Sequence, residues 1–198
     1  MESTKSILKK IKSDASFRSF YRKANNKRNS IIVYATKEKE KNLLIYDAIN
    51  SLLIENKIRA PKLYKENYKQ NFIEIEDFGD DTVFKLLKKS GSNKINLYKK
   101  SVDLLSKIQK ITQNKTKDFN GKNYKIPIYK ANELFKEAKL FSDWYAKKYI
   151  SKKKLSTFNI EINKQIKFLL SNLKLKNDTL VHRDFHVSNL MKYRKELA

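Results

Sequence analysis

The 198-residue chain contains only two histidines, and both fall in one stretch, "TLVHRDFHVSNLMKY", as His182 and His186. Asp184 stands between them, and Asn189 follows five residues after the aspartate. Phosphoryl transfer from a nucleotide asks little covalent chemistry of a protein. It needs a carboxylate to orient an attacking hydroxyl and accept its proton, and oxygen ligands for the Mg²⁺ that bridges the phosphates. The spacing H-R-D-x-x-x-x-N supplies the carboxylate as Asp184 and a neutral metal ligand as Asn189, with His182 and His186 in support. Two other arrangements use the same residues. On a strand, His182, Asp184 and His186 would alternate to one side and form a two-histidine, one-carboxylate metal site. In the blander arrangement Asp184 caps a turn while His182 packs in a core. The polar pair Ser188-Asn189 and the break in apolar pattern favour a loop between two short strands, "TLV" and "LMKY".

The elements that must position this loop read in two styles. Up to about residue 80, "SFRSFYRKA" (Ser16–Ala24) and "SIIVYA" (Ser30–Ala35) are strand-like, and the asparagine-rich "NNKRN" between them is a hairpin connection. Ile45, Ile49, Leu52 and Leu53 give Asn42 to Asn56 a helical period. Pro61 then precedes two more strands, "KLYKE" and "FIEIE", around a polar turn at Asn67–Asn71. The pattern is an antiparallel sheet with one helix on it. After "EDFGD" the period changes. Val102, Leu105, Ile108 and Ile111, with Leu104 widening the face, predict one helix. A second runs from about Ala131 to Tyr149, and a third carries Ile162, Ile166, Leu169, Leu170 and Leu173.

Composition narrows the field. With no cysteine there is no disulfide framework and no thiolate chemistry. No stretch is apolar and long enough for a signal peptide or a membrane span, so a cytoplasmic location with no membrane partner is expected. The net charge of +24 would ordinarily suggest nucleic acid, but it comes from 39 lysines and only six arginines scattered over every segment. Phosphate-reading surfaces lean on arginine's planar fork, so no specific nucleic-acid partner is expected. A basic nucleic-acid-binding protein without catalysis remains the rival reading.

The segment "DFHVSN" resembles the aminoglycoside phosphotransferase and choline kinase group. Protein kinases place lysine two residues after the aspartate, where His186 stands here. Together "SDASFRSFYR" (Ser13–Arg22), "FIEIEDFGD" (Phe72–Asp80) and "ELFKEAKLFSDWY" (Glu133–Tyr145) are similar to the bacterial cell-wall amino-sugar kinases. Those enzymes phosphorylate the anomeric hydroxyl of N-acetylmuramic acid and N-acetylglucosamine. The resemblance implies an α+β, two-lobed, protein-kinase-like fold. Residues 1–80 would form a nucleotide-binding lobe with an antiparallel sheet, and residues 81–198 a helical catalytic lobe, incomplete at its C-terminal end. It implies ATP as co-substrate with Mg²⁺, and a small-molecule hydroxyl as acceptor. Asp14, Ala15, Ser16, Phe17 and Arg18 would turn over the nucleotide phosphates. Glu76, Asp77 and Phe78, up to Gly79, would form the hinge whose backbone meets the adenine edge.

Each of these positions has a plainer alternative. Glu76 and Asp77 could be solvated charges ending a strand. Phe17, Phe20 and Tyr21 suit packing, and Trp144 suits a core position better than a sugar platform. The chain also departs from the pattern. Its only glycines are Gly79, Gly91 and Gly121, so no glycine-rich loop exists, and Lys37, Lys39 and Lys41 compete for the role of the strand lysine. After Asn189 come nine residues with a single acid, Glu196. The expectation is therefore a chain without the second metal-binding carboxylate and with no room for the strand after the loop to return. Such a chain would bind nucleotide as an incomplete kinase, leave apolar faces near Trp144 and Leu169 uncovered, and associate through them.

Overall fold

Ser30–Ala35 is the most apolar of the strands, and it lies mid-sheet with Ile31, Val33 and Ala35 buried and Ile32 and Tyr34 half-buried. In this computed structural model, which describes residues 7–11, 18–24, 28–35, 42–174, 176 and 178–198, it is the third strand of a five-stranded sheet. The strands are β1 (Ile7–Ile11), β2 (Arg18–Ala24), β3 (Ser30–Ala35), β4 (Leu63–Asn67) and β5 (Phe72–Glu76), in the order β1-β2-β3-β5-β4. All neighbours are antiparallel, with Tyr21 opposite Ile32 and Val33 opposite Ile73. The β2–β3 pairing fits the expected hairpin; its turn residues 25–27 lie outside the described residues. β1 was not legible in "ILKKI", whose two lysines break the alternation. It forms because β2 offers it a free edge, and lysine is a residue that edge strands tolerate.

Helix α1 (Asn42–Glu55) closes one face of the sheet. Leu43 joins Ile31, Val33, Ala35, Ile73 and Ile75 in one buried cluster, flanked by Ile11, Phe20, Tyr46, Leu63, Tyr68 and Phe119. The aromatic positions Phe20 and Tyr46 are thus packing residues. The turn expected at Asn67–Asn71 is present as a short 3₁₀ segment, Tyr68–Gln70, closed by Asn71 at φ 59°. In a chain so poor in glycine, asparagine takes the left-handed position at little cost.

Helix α2 (Val83–Lys88) and helix α3 (Lys94–Gln109) follow the sheet. The buried stripe of α3 is Ser101, Leu104 and Ile108, continuing to Ile111, while Val102 is exposed. The face expected through Val102 and Leu105 is therefore rotated: Leu104 and Ile108, one turn apart, set the packing, and Ser101 fits beside them because it is small and bonds back to Leu97 O at 2.9 Å. A small hairpin of β6 (Lys115–Lys117) and β7 (Asn123–Lys125) packs its Thr116 under α1. Residues 1–126 and 182–198 make up one compact unit.

Residues 127–181 form a second unit. Helix α4 (Ala131–Leu140) runs through one π-helical turn, Phe141–Ala146, into α5 (Lys147–Tyr149), and α6 (Lys152–Ser171) packs against α4. The inward stripe of α6 is Leu155, Phe158, Asn159, Ile162, Asn163, Ile166 and Leu170. Leu169 and Leu173 lie off it and are exposed. Phe141, Tyr145 and Tyr149 stack one turn apart, with ring centroids 5.5 and 4.8 Å apart. Trp144 is 71% exposed, which overturns its expected place in a core. Among the described residues no helix is long and apolar enough to cross a membrane.

Candidate active site

The segment around Asp184 is a loop, as its polarity predicts, but only one of the two flanking strands exists. "TLV" is not a strand. "LMKY" leads into β8 (Lys192–Tyr193), which turns through Arg194 at φ 57° and pairs with β9 (Glu196–Leu197). Met191 and Ala198 close the ladder with bonds of 2.8 and 2.9 Å. The strand after the loop does return, within nine residues, because a two-residue turn needs no more chain than that.

The loop is held by the N-terminus of α2. A helix leaves its first amides without partners. Here Val83 N–H donates to Leu190 O at 2.8 Å and Phe84 N–H to Val187 O at 2.9 Å. The Thr82 side chain takes the next one, from Lys85 N–H at 3.2 Å. Lys192 N–H to Asp81 O, at 2.8 Å, adds a further tie. Leu190, 3% exposed, anchors the turn in the core.

Within the turn, Asn189 N–H bonds His186 O at 2.9 Å. The Asn189 side-chain amide donates to Asp184 twice, to Oδ2 at 2.7 Å and to the backbone O at 3.1 Å. That orientation leaves Asn189 Oδ1 as an available acceptor among the described residues. His186 Nε2 faces Asp184 Oδ1 at 3.3 Å, while its Nδ1 accepts from Ser188 N–H at 3.3 Å. A ring nitrogen that accepts carries no proton, so this contact sets the neutral tautomer with hydrogen on Nε2, aimed at Asp184. The aspartate is thus gripped on both oxygens yet its side chain remains 72% exposed. A carboxylate in this state can receive a proton from a molecule in solution.

Arg183 adopts φ 67°, which breaks strand geometry between His182 and Asp184. The two-histidine, one-carboxylate site therefore does not form: alternation places side chains on one face only in extended backbone. Among the described residues no three His, Cys, Asp or Glu side chains gather to hold a metal, and Glu196 does not join Asp184 and His186. The donors present, Asn189 Oδ1 and the Asp184 carboxylate, suit a hard cation that brings phosphate and water oxygens of its own. His182 is exposed, with its ring edge-on to Phe185 at 5.6 Å, and so is not a core residue. Partial desolvation of the ring pushes its pKa below the ordinary imidazole value; Asp184 opposes the shift and His186 adds to it.

Glu76 and Asp77 are not solvated strand-end charges. Glu76 is buried and paired with Arg59 at 2.7 Å, and Asp77, with a side chain 6% exposed, is paired with Arg22 at 2.6 Å. Phe78 is buried against Tyr193, ring centroids 4.6 Å apart, which ties this segment to β8. Arg18 lies on β2 with its guanidinium 5.1 Å from the Tyr46 ring centre. Asp14, Ala15, Ser16, Phe17 and the lysines Lys37, Lys39 and Lys41 lie outside the described residues. The sequence reading passed over Arg22 and Thr82. Arginine in a chain of lysines was the available signal for the first; threonine three residues before Lys85 was the weaker one for the second.

No family model matches the sequence. A solved structure of a candidate aminoglycoside phosphotransferase from Ralstonia eutropha JMP134 superposes with a TM-score of 0.59 at 12% identity, covering 98% of this chain and 57% of that one. The fold of this chain is shared with that part of the solved structure. The α+β class expected from the sequence, an antiparallel sheet followed by helices, is the class observed. Two N-acetylmuramate/N-acetylglucosamine kinases are similar in sequence. That of Pseudomonas putida KT2440 is 24% identical over 179 residues and that of Pseudomonas aeruginosa PAO1 26% over 180. Each match covers 90% of this chain and 49% of the relative, so the chain spans about half the length of the curated relatives it matches.

Proposed function

We propose that this chain carries the nucleotide-binding and catalytic-loop parts of an ATP-dependent phosphotransferase that acts on a hydroxyl of a small molecule, an amino sugar of the N-acetylmuramate or N-acetylglucosamine kind. The observation that carries the reading is the exposed Asp184 carboxylate, held by the Asn189 amide at 2.7 Å and faced by His186 Nε2 at 3.3 Å. In this reading Asp184 orients the acceptor hydroxyl and takes its proton as the oxygen attacks the γ-phosphorus. The bond from that phosphorus to the bridging oxygen breaks, and ADP leaves. Asn189 Oδ1 would help hold Mg²⁺, which arrives with the nucleotide and offsets the charge on its phosphates. The adenine edge falls to the backbone of Asp77 and Phe78, because the side chains of Glu76 and Asp77 are committed to arginines. Similarity to the amino-sugar kinases supports the acceptor class. The test is Mg²⁺-dependent ATP consumption with N-acetylmuramic acid, N-acetylglucosamine, an aminoglycoside, choline and homoserine offered separately. Consumption selective for the amino sugars, at a rate far below the ~1–100 s⁻¹ typical of kinases, is the expected result; turnover of choline or an aminoglycoside in their place refutes the acceptor assignment.

A further inference from the structure

We propose that Arg22 is the positioning residue of the nucleotide linker, and that through the linker it determines how selectively the purine base is held. The inference rests on the nucleotide-binding reading above. Arg22 sits in β2 between Lys9 of β1 and Ile31 of β3, so its own backbone is fixed on both sides. Its guanidinium spans residues 77–80. Nε and Nη2 grip Asp77 at 2.6 and 3.1 Å, Nη2 also donates to Gly79 O at 2.9 Å, and Nη1 donates to Asp80 at 2.9 Å. Asp77 Oδ1 in turn accepts from Gly79 N–H at 2.8 Å. Gly79, at φ +83°, is therefore held by its N–H through Asp77 and by its carbonyl through Arg22.

The other end of the linker is equally committed. Glu76 N–H bonds Lys62 O at 2.9 Å and its carboxylate bonds Arg59 at 2.7 Å. What is left between the two fixed ends is a short backbone edge, the N–H and C=O groups of Asp77 and Phe78. Adenine presents a donor beside an acceptor on its pairing edge, and guanine presents the reverse. A rigid edge discriminates between them, whereas a loose one turns its peptide groups to suit either. Lysine cannot replace this fork, because one ammonium cannot reach Asp77, the Gly79 carbonyl and Asp80 together. It does keep a positive charge beside the buried Asp77, so Arg22→Lys avoids the penalty of an unpaired buried carboxylate.

The test compares the intact chain with its Arg22→Lys variant in equilibrium binding of Mg-ATP and Mg-GTP by calorimetry, alongside hydrogen exchange of the peptide covering residues 72–82. The wild type is expected to prefer ATP. The variant should lose about tenfold in ATP affinity, the worth of one ordinary hydrogen bond, and its ATP-over-GTP preference should move towards unity. Exchange at Gly79, whose N–H is held through Asp77, should quicken while residues 30–35 stay protected. A purely structural role would weaken both nucleotides by the same factor, and an unchanged ratio or unchanged exchange overturns the proposal. If Arg22→Lys fails to fold, Asp80→Ala replaces it: Asp80 is 68% exposed, and its loss removes only the side-chain partner of Nη1. The same shift, smaller, is then expected, and an unchanged ratio again overturns the proposal. A wild type that binds neither nucleotide refutes the phosphotransferase reading itself, and the role of Arg22 with it.

Discussion

Asp47 offers a test of the structure that does not depend on function. It lies on α1, is 6% exposed, and feels the charge of Asp118 in the turn between β6 and β7. Burial first, and the Asp118 charge second, push its carboxyl from an ordinary value of 3.8 up to about 6. Between these two values the folded chain keeps a proton that the unfolded chain has lost. Stability contributed by this group therefore falls as pH rises from about 4 to about 6, and the loss is complete above about 7. The difference of about two pH units corresponds to about 2–3 kcal/mol. Asp47→Asn keeps the shape and removes the charge. Urea unfolding followed by circular dichroism, at intervals from pH 4 to pH 8, should show the variant level with wild type at pH 4. By pH 8 it should be more stable by about 2–3 kcal/mol. Other groups, such as Asp80, which Arg22 holds below the ordinary carboxylate range, slope the other way but are common to both proteins and cancel. Equal stability at pH 8, or a variant weaker at every pH, would refute the reasoning, since either means the ionised carboxylate is favourably held.

At the candidate site, Asp184→Asn keeps the loop's shape but removes the proton acceptor, so turnover by an active form should fall by about 10²–10⁴-fold with nucleotide affinity little changed. An unfolded variant or full activity would dispose of the assignment. The nitrogen chemical shifts of the His186 ring should report a proton on Nε2 at neutral pH, and a ring protonated mainly on Nδ1 would contradict the contact with Ser188. Thr82→Ala removes the α2 cap bond and should destabilise the protein by about 1 kcal/mol. Because the same helix end holds the Asp184 loop, amide exchange at Val83 and Phe84 should rise with it, and a loss of stability without that rise would separate the two.

What the residues determined on their own was whatever rests on near neighbours along the chain. The β-branched run of Ser30–Ala35 and the alternation in Phe72–Glu76 made strands, because branched side chains suit the pleated surface and a period of two buries one face. The polar break at Ser188-Asn189 made a loop, and the spacing from Asp184 to Asn189 allowed one side chain to bond the other. Tertiary structure decided the rest. "ILKKI" is a strand only because β2 had an edge to give, and "TLV" is not one because nothing among the described residues pairs with it. The inner face of α3 fell on Leu104 rather than Val102 because of what it packs against, not because of its own period. His182, Asp184 and His186 could share one face only in extended backbone, and Arg183 takes a left-handed turn between them. Arg22 and Asp77, 55 residues apart, carry no mark of each other in the sequence. Such pairs form only when the sheet has brought β2 alongside the end of β5, and the energy of a buried ion pair depends on that enclosure, which no local pattern encodes.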